Sequence, residues 1–267
     1  MIHRDARFSP VRDPPRHRNL VAFFGLTLVF SAPFWLLGAL VDVQPLPGLP
    51  LSALMAFAPA CAAIALTWRS DGPDGVVRLM ARSWDGRRAS AVVWLAALLG
   101  PVMVAAVVSI LLHATGDPAP APRIPLWAPV VLFAAFYVGA LGEELGWTAY
   151  ALDPLQAGLG PFRAALLLGV IWAAWHLVPF VEAGRDWRWI AWHAASMPAT
   201  RVIMLWVYRR GRGSVAVAAG YHAADNTAAF LFPIWGSFYD PKLSAMALMA
   251  LAVGLALVDR RGFEGRR

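Results

Sequence analysis

Apolar residues are grouped along the chain in long windows, and short polar or basic segments separate one window from the next. A helix of about 20 apolar residues is long enough to cross the hydrocarbon core of a bilayer. Eight such windows can be delimited, at residues 20–41, 48–68, 90–112, 126–152, 163–181, 189–208, 214–232 and 243–258. The pattern therefore predicts an all-α, polytopic integral membrane protein with about eight transmembrane helices.

The fourth window, residues 126–152, is longer than a single crossing requires. A helix of this length must tilt, break, or run past the membrane interface. The pair Gly142 and Gly146 marks the place where we expect this to happen.

The composition supports a membrane protein and excludes an ordinary soluble enzyme. Hydrophobic residues make up 59% of the 267 residues, charged residues only 15%, and the mean hydropathy is +0.57. A soluble fold with this composition would have too few polar residues to cover its surface. The single cysteine, Cys61, excludes an intrachain disulfide.

The net charge of +7 is explained by membrane topology rather than by a nucleic-acid partner. Of the 23 basic residues, 18 fall in one alternating set of connecting segments and only 4 in the other. Because cytoplasmic segments are enriched in Lys and Arg, both termini are predicted to be cytoplasmic. The sequence thus predicts one transmembrane domain at 20–258 in the plasma membrane, between basic cytoplasmic segments at 1–19 and 259–267, with the lipid bilayer as partner.

Few titratable residues lie inside the predicted spans, and these are the candidates for chemistry. An ionised side chain in hydrocarbon is costly, so such residues are functional hypotheses by default. The acidic ones are Glu143, Glu144 and Asp225, and the histidines are His176, His193 and His222.

Spacing assigns these residues to helix faces. Glu143 and Glu144 point about 100° apart, which predicts different tasks for the two carboxylates, the alternative being an interfacial pair that ends the helix. His222 and Asn226 are spaced i, i+4 and share a face, whereas Asp225 is expected to point elsewhere. A hydrogen-bonded pair that joins two helices is the alternative for His222 and Asn226. His193, beside aromatic residues, is expected in the interfacial aromatic belt.

Carboxylates, histidines and an amide on neighbouring helices are the groups that water activation requires. A carboxylate can deprotonate water, and histidine or amide groups can bind a metal or stabilise an oxyanion. A proton relay uses the same groups, so the residue types leave a carrier open as an alternative.

Three motifs in order carry a resemblance to a known family. They are EELGW at 143–147, Trp172 followed by His176, and His222 followed by Asn226. This series resembles the CPBP family of intramembrane proteases, the CAAX-protease and bacteriocin-processing (Abi) family, over residues 126–232. The resemblance implies a CAAX-protease-like helical core and an endopeptidase that cleaves peptide bonds in or near the membrane, in substrates that include lipidated proteins.

The resemblance also implies roles for the motif residues. Glu143 is the expected water-activating glutamate, Glu144 its partner, His176 the second-motif histidine, and His222 with Asn226 the third motif. The family is described both as glutamate proteases and as metalloproteases, and the sequence leaves both open. A metal, with zinc as the candidate, would take His176, His222 and either Glu143 or Glu144 as ligands.

Two positions depart from the family pattern. Thr148 stands where the first motif normally ends in arginine, and Trp172 replaces the phenylalanine of the second motif. Arg201, inside the sixth predicted span, is the candidate replacement for the missing cation. The loss of the motif arginine makes a catalytically inactive scaffold or bacteriocin-immunity-type protein the alternative function.

Overall fold

The computed structural model describes residues 18–46, 48–116, 124–231 and 239–263, and in these ranges the backbone forms helices, turns and an isolated β-bridge between Leu46 and Leu49. Most of the predicted N-terminal basic segment, including Arg4, Arg7, Arg12 and Arg16, lies outside the described residues, as does the end of the basic tail at 264–267.

Eleven α-helices follow one another in the described part of the chain. They are α1 (Leu20–Leu40), α2 (Ala58–Met80), α3 (Ala91–Ala114), α4 (Ala128–Gly146), α5 (Asp153–Leu159), α6 (Pro161–Trp175), α7 (Leu177–Glu182), α8 (Trp187–Arg210), α9 (Val215–Leu231), α10 (Pro241–Val258) and α11 (Arg260–Phe263). Two 3₁₀-helical segments, Leu51–Phe57 and Ala81–Arg88, flank α2, and a π-helical segment, Trp147–Leu152, joins α4 to α5.

The all-α membrane architecture predicted from the sequence is confirmed. Five helical segments of the described chain are long and apolar enough to cross a membrane: Leu20–Leu40, Leu51–Arg88, Ala91–Ala114, Ala128–Leu159 and Pro241–Val258. The windows at 163–181, 189–208 and 214–232 also hold helices, but the first is divided between α6 and α7. Eight crossings therefore remain a prediction.

Glycines let α4 closely approach the start of α2 and the 3₁₀ segment before it. A Cβ at Gly142 would lie 2.8 Å from the backbone oxygen of Ala56, and a Cβ at Gly146 would lie 2.4 Å from Cβ of Pro59. The long fourth window does not break at these glycines, because the helix continues through both and changes to π-helix only at Trp147. This contact fixes the last turn of α4, where the two glutamates lie.

The polar helices form the interior and the most apolar helices form the outside. Helix α9 packs against α3, α4 and α8, and α8 also packs against α6 and α10. By contrast, α1 and α3 expose large apolar side chains such as Val21, Leu40 and Ile110. Apolar surface of this kind is stable in lipid, so the outer helices are the lipid-facing ones.

One end of the bundle gathers the basic segments and anchors α9. The carboxylate of Asp85 accepts hydrogen bonds from the hydroxyl of Ser214 at 2.8 Å and from the backbone N–H of Ala216 at 3.1 Å. It thereby satisfies donors at the start of a helix, as an N-terminal cap does. Nearby, the guanidiniums of Arg18 and Arg82 both donate to the carbonyl of Ala149 in the π-helical segment.

Candidate active site

A cavity of about 540 Å³ is bordered by residues of the connections that precede α2, α8 and α10, and these connections alternate along the chain with the basic ones. Its walls are mainly apolar side chains from the 3₁₀ segment before α2 and from α3, α4, α8 and α9. The titratable and amide residues that line it are Glu143, His176, Arg185, His193, His222, Asp225, Asn226 and Tyr239. A concave apolar site with a few converging polar groups is the usual form of a binding or catalytic site.

Of the two adjacent glutamates, Glu143 lines the cavity and Glu144 lies behind it. The indole N–H of Trp172 donates a hydrogen bond to Oε2 of Glu143 at 2.7 Å, and Nε2 of His222 lies 4.0 Å from Oε1 of the same carboxylate. The aromatic residue that departs from the family pattern therefore contributes a donor that phenylalanine lacks.

Glu144 is completely buried and held on several sides. Nη1 of Arg201 lies 2.9 Å from Oε1 and 2.7 Å from Oε2 of Glu144, and Nδ1 of His222 lies 3.0 Å from Oε1. The hydroxyl of Thr148, one turn later on α4, donates to Oε2. A buried carboxylate with a paired cation and several hydrogen bonds is suited to a structural and electrostatic task.

Arg201 brings to Glu144 the positive charge that position 148 lacks. Its side chain is almost fully buried, and its guanidinium carbon lies 4.3 Å from the ring centroid of Trp172. Its Nε and Nη2 have no hydrogen-bond partner among the described residues. The stacking on Trp172 partly compensates these groups through a cation–π interaction.

His176 lies at the junction of α6 and α7, where the first helix ends and the second begins. Its Nδ1 lies 2.9 Å from the backbone carbonyl oxygen of Trp172. Because a carbonyl can only accept, Nδ1 carries the hydrogen, and Nε2 of the neutral ring is left as an acceptor.

The third motif presents three polar side chains to the cavity rather than two. His222, Asn226 and Asp225 all line it. The expectation that Asp225 points elsewhere is therefore wrong: α9 borders the cavity along a wide strip of its surface, so residues about 60° apart can both reach it.

His193 was expected in the interfacial aromatic belt, and this is also wrong. It lines the cavity, its Nδ1 lies 3.0 Å from the hydroxyl oxygen of Tyr239, and its ring stacks on Trp189 at a centroid distance of 4.6 Å. Sequence periodicity gave no signal of this inward face, because it depends on how α8 is rotated against its neighbours.

The predicted metal ligands do not assemble into a metal site. In the described ranges, no group of three His, Cys, Asp or Glu residues is placed to hold a metal ion. Glu144 is already occupied by Arg201 and His222, and Nδ1 of His176 by a backbone carbonyl. The donor set does not fit the tetrahedral zinc site considered from the sequence.

Comparisons with known proteins place the site in a family context. The model of the Rce1-like family, described as type II CAAX prenyl endopeptidase Rce1-like, matches residues 125–228. CAAX prenyl protease 2 of Methanococcus maripaludis is 27% identical over 150 residues, which cover 52% of this chain and 52% of that protein. The chain thus spans about half the length of this curated relative. These matches confirm the resemblance predicted from the three motifs: residues 125–228, which hold both glutamates, His176, His222 and Asn226, are similar to the Rce1-like type of CAAX prenyl endopeptidase.

Proposed function

We propose that this protein is an intramembrane endopeptidase in which Glu143 activates water for attack on a peptide bond. The observation that carries the proposal is the different environment of the two adjacent glutamates. Glu143 lines the cavity and receives one neutral N–H donor, whereas Glu144 lies behind it, paired with Arg201. One carboxylate is thus available to a water molecule and the other supports the site.

In the proposed reaction, Glu143 takes a proton from a water molecule, and the resulting hydroxide attacks the scissile carbonyl carbon. The tetrahedral oxyanion is stabilised by the amide N–H₂ of Asn226 and by His222, both of which line the cavity. Because Nδ1–H of His222 donates to Glu144, His222 acts here as the protonated imidazolium, which donates through Nε2–H. The C–N bond then breaks, and the proton held by Glu143 passes to the leaving amine. The products are a carboxylic acid and an amine, which exchange a proton to become a carboxylate and an ammonium group, and the glutamate returns to its starting state.

His176 is proposed to position the water. Because its Nδ1–H is held by the carbonyl of Trp172, its Nε2 can accept one hydrogen bond from a water molecule in the cavity. A water bound by both His176 and Glu143 has its protons directed at acceptors and its lone pair available for attack. No step in this scheme is assigned to a metal.

The missing motif arginine does not deprive Glu144 of a cation, because Arg201 supplies one from α8. This contact argues for an active enzyme over the alternative of an inactive scaffold or immunity-type protein. A measurement of proteolytic activity is what distinguishes the enzyme from the scaffold. A protein that cleaves no substrate would favour the scaffold.

We further propose that the protein lies in the plasma membrane with the cavity open to the extracytoplasmic side. The basic segments that predict the cytoplasmic side meet at the opposite end of the bundle, around Arg18, Arg82 and Ser214. The apolar walls of the cavity suit a peptide or a lipid-bearing protein segment as substrate, in agreement with the relative's name, CAAX prenyl protease 2.

The experiment that tests this function compares the termini of membrane proteins in cells that express the wild type or Glu143→Gln. The proposal predicts new termini that are present only with the wild type. Identical sets of termini, from variants present at equal levels in the membrane, would favour the scaffold. Adding a chelator to purified wild type then separates the two chemistries, because unchanged cleavage by metal-free protein excludes a zinc mechanism.

A further inference from the structure

Asp225 is a second carboxylate that lines the cavity, and it has no partner among the described residues. It lies on α9, one position before Asn226, and is partly buried. Within the described ranges, its carboxylate makes no hydrogen bond or ion pair. The hydroxyl of Tyr221, one turn earlier on α9, is buried without a hydrogen-bond partner in the same ranges, so it does not bond to Asp225 either. An unpaired carboxylate among transmembrane helices is costly and is a functional hypothesis by default.

The positive charges around the cavity are engaged by other groups. Arg201 is bound to Glu144 through Nη1, and the ring nitrogens of His222 lie 3.0 and 4.0 Å from the two glutamates. The guanidinium carbon of Arg185 lies 4.8 Å from the centroid of an aromatic ring, and this side chain forms no ion pair with a carboxylate of the described chain. No cation of the described residues therefore neutralises Asp225, and a bound molecule can supply one.

The packing of α9 on α4 gives the position of Asp225 relative to the glutamates. His222 contacts Glu144. Farther along α9, Phe230 contacts Phe136, which precedes Glu144 on α4, with ring centroids 5.6 Å apart. The two helices therefore run in opposite directions. Asp225 comes three residues after His222, so it lies about 4.5 Å farther along the helix axis. An extended substrate, at about 3.3–3.6 Å per residue, spans this distance in one or two residues.

Small residues leave room beside Asp225 for a long side chain. On α9, Ala228 and Ala229 come one turn after Asp225 and line the cavity. On α4, Gly139 lies between the two levels of contact with α9, and a Cβ at this position would meet its nearest neighbour only at 4.0 Å. Because the surrounding wall is apolar, a lysine or arginine can lay its methylene chain along it and present its charged group to the carboxylate.

We propose that Asp225 binds the side chain of a lysine or arginine of the substrate, one or two residues from the scissile bond, which makes it a specificity-determining residue. The inference rests on the proposed endopeptidase function. Hydrogen bonds between a cationic donor and a carboxylate are shorter and stronger than neutral ones, and apolar surroundings strengthen them further. A neutral residue at this position leaves the carboxylate unpaired and an acidic residue adds repulsion, so both are selected against.

Binding of peptides to the Glu143→Gln protein tests the inference without requiring cleavage. The probes are short peptides of alternating leucine and alanine with a central lysine, norleucine or glutamate, each carrying fluorescein at the amino terminus and an amide at the carboxyl terminus. Fluorescence anisotropy in a neutral detergent should show the lysine peptide binding about 10- to 100-fold more tightly than the norleucine peptide, the gain expected from hydrogen bonds to a charged group. The glutamate peptide should bind most weakly.

A variant of Asp225 separates a specific contact from a change in folding. Asp225→Asn, added to Glu143→Gln, should make the lysine peptide bind as the norleucine peptide does. The affinity for the norleucine peptide should stay within about twofold, because the change is isosteric and removes no contact within the described chain. Binding of the norleucine peptide thus reports that the cavity is intact. Partition of a peptide into micelles is the same for every protein variant, so it cancels when variants are compared.

Two further variants serve as controls. Asp42→Asn removes an exposed carboxylate outside the cavity and should preserve the whole preference for lysine. Asp225→Glu keeps the charge but moves it by one methylene group, so it should retain part of that preference.

Four results would overturn the inference: equal binding of the lysine and norleucine peptides, a lysine preference that survives Asp225→Asn, an equal loss of binding for all three peptides in that variant, or no binding of any peptide. A norleucine peptide with a free amino terminus that binds as tightly as the lysine peptide, and only when Asp225 is present, would assign the carboxylate to a terminal amine instead. If the lysine preference depends on Asp225 but the wild type cleaves none of the peptides, the proposed function fails while the cation site stands.

Discussion

Replacing Arg201 by glutamine should destabilise the protein strongly, because it leaves a buried carboxylate without its cation. The Arg201 and Glu144 side chains are 2% and 0% exposed, and Nη1 contacts both carboxylate oxygens. The remaining partners of Glu144, the Thr148 hydroxyl and one nitrogen of His222, supply hydrogen bonds but no permanent charge.

The size of the expected loss in stability follows from the burial of the ion pair. Removing one member of a buried ion pair typically costs about 3–5 kcal/mol, because the other charge remains desolvated. Such a change alters the unfolding equilibrium constant by about a hundredfold to a few thousandfold. Removing both charges, in Arg201→Gln with Glu144→Gln, should cost clearly less than the sum of the two single changes, with a coupling energy of about 1–3 kcal/mol.

Reversible unfolding of the purified protein in mixed micelles, followed by tryptophan fluorescence, measures these free energies. Arg188→Gln serves as the matched control, because it removes an exposed arginine from the same helix and should change stability by less than about 0.5 kcal/mol. A coupling energy indistinguishable from zero would refute the assignment of Arg201 as the cation of Glu144. Thr148→Arg, added to Arg201→Gln, tests whether an arginine at the family's usual position restores the lost stability.

Three further predictions concern other parts of the structure. Trp172→Phe removes the N–H donor to Glu143 and should lower kcat about 10- to 100-fold in a peptide cleavage assay, and an unchanged kcat would show that this hydrogen bond is dispensable. Asp85→Ala uncaps α9 and should lower the free energy of unfolding by about 1–2 kcal/mol, and equal stability would contradict the capping role. The orientation can be tested by labelling intact cells with a membrane-impermeant maleimide, in a variant whose Cys61 is replaced by alanine. Asp186→Cys, at an exposed extracytoplasmic position, should react, and Asp74→Cys, at an exposed cytoplasmic position, should not. The reverse labelling pattern would show the opposite orientation.

The helices were predictable from the sequence because hydropathy is a local property. Each of the eight apolar windows holds helix in the described chain. The break at His176 was not predicted, because the flanking residues of α6 and α7 are equally apolar. Pro179, which has no N–H to bond the carbonyl of Trp175, was the local signal that could have indicated it. The number of crossings also stays a prediction. Length and hydropathy identify five spans, whereas the position of the shorter or more polar helices in the membrane depends on the helices they pack against.

The site residues that could be predicted from the sequence are those whose side chains are costly to place in a bilayer. Glu143, Glu144, His176 and His222 were found by this cost and by their motifs, and Arg201 was singled out because an unpaired arginine in a span is unfavourable. Its role as the replacement for the missing motif arginine was predicted, whereas the contact itself could not be derived from spacing, since Glu144 lies 57 positions earlier on another helix. The cavity position of His193 depends on how α8 is rotated against its neighbours, which sequence periodicity alone does not determine.

The central claim, that Glu143 activates the attacking water, is tested most directly by one rate measurement on protein reconstituted in lipid vesicles. Hydrolysis of an identified substrate by Glu143→Gln is compared with hydrolysis by the wild type. Removing a general base typically lowers the rate by about 10²- to 10⁴-fold, so a loss of this size is predicted while the unfolding free energy stays close to that of the wild type. Cleavage by Glu143→Gln at the wild-type rate would contradict the account.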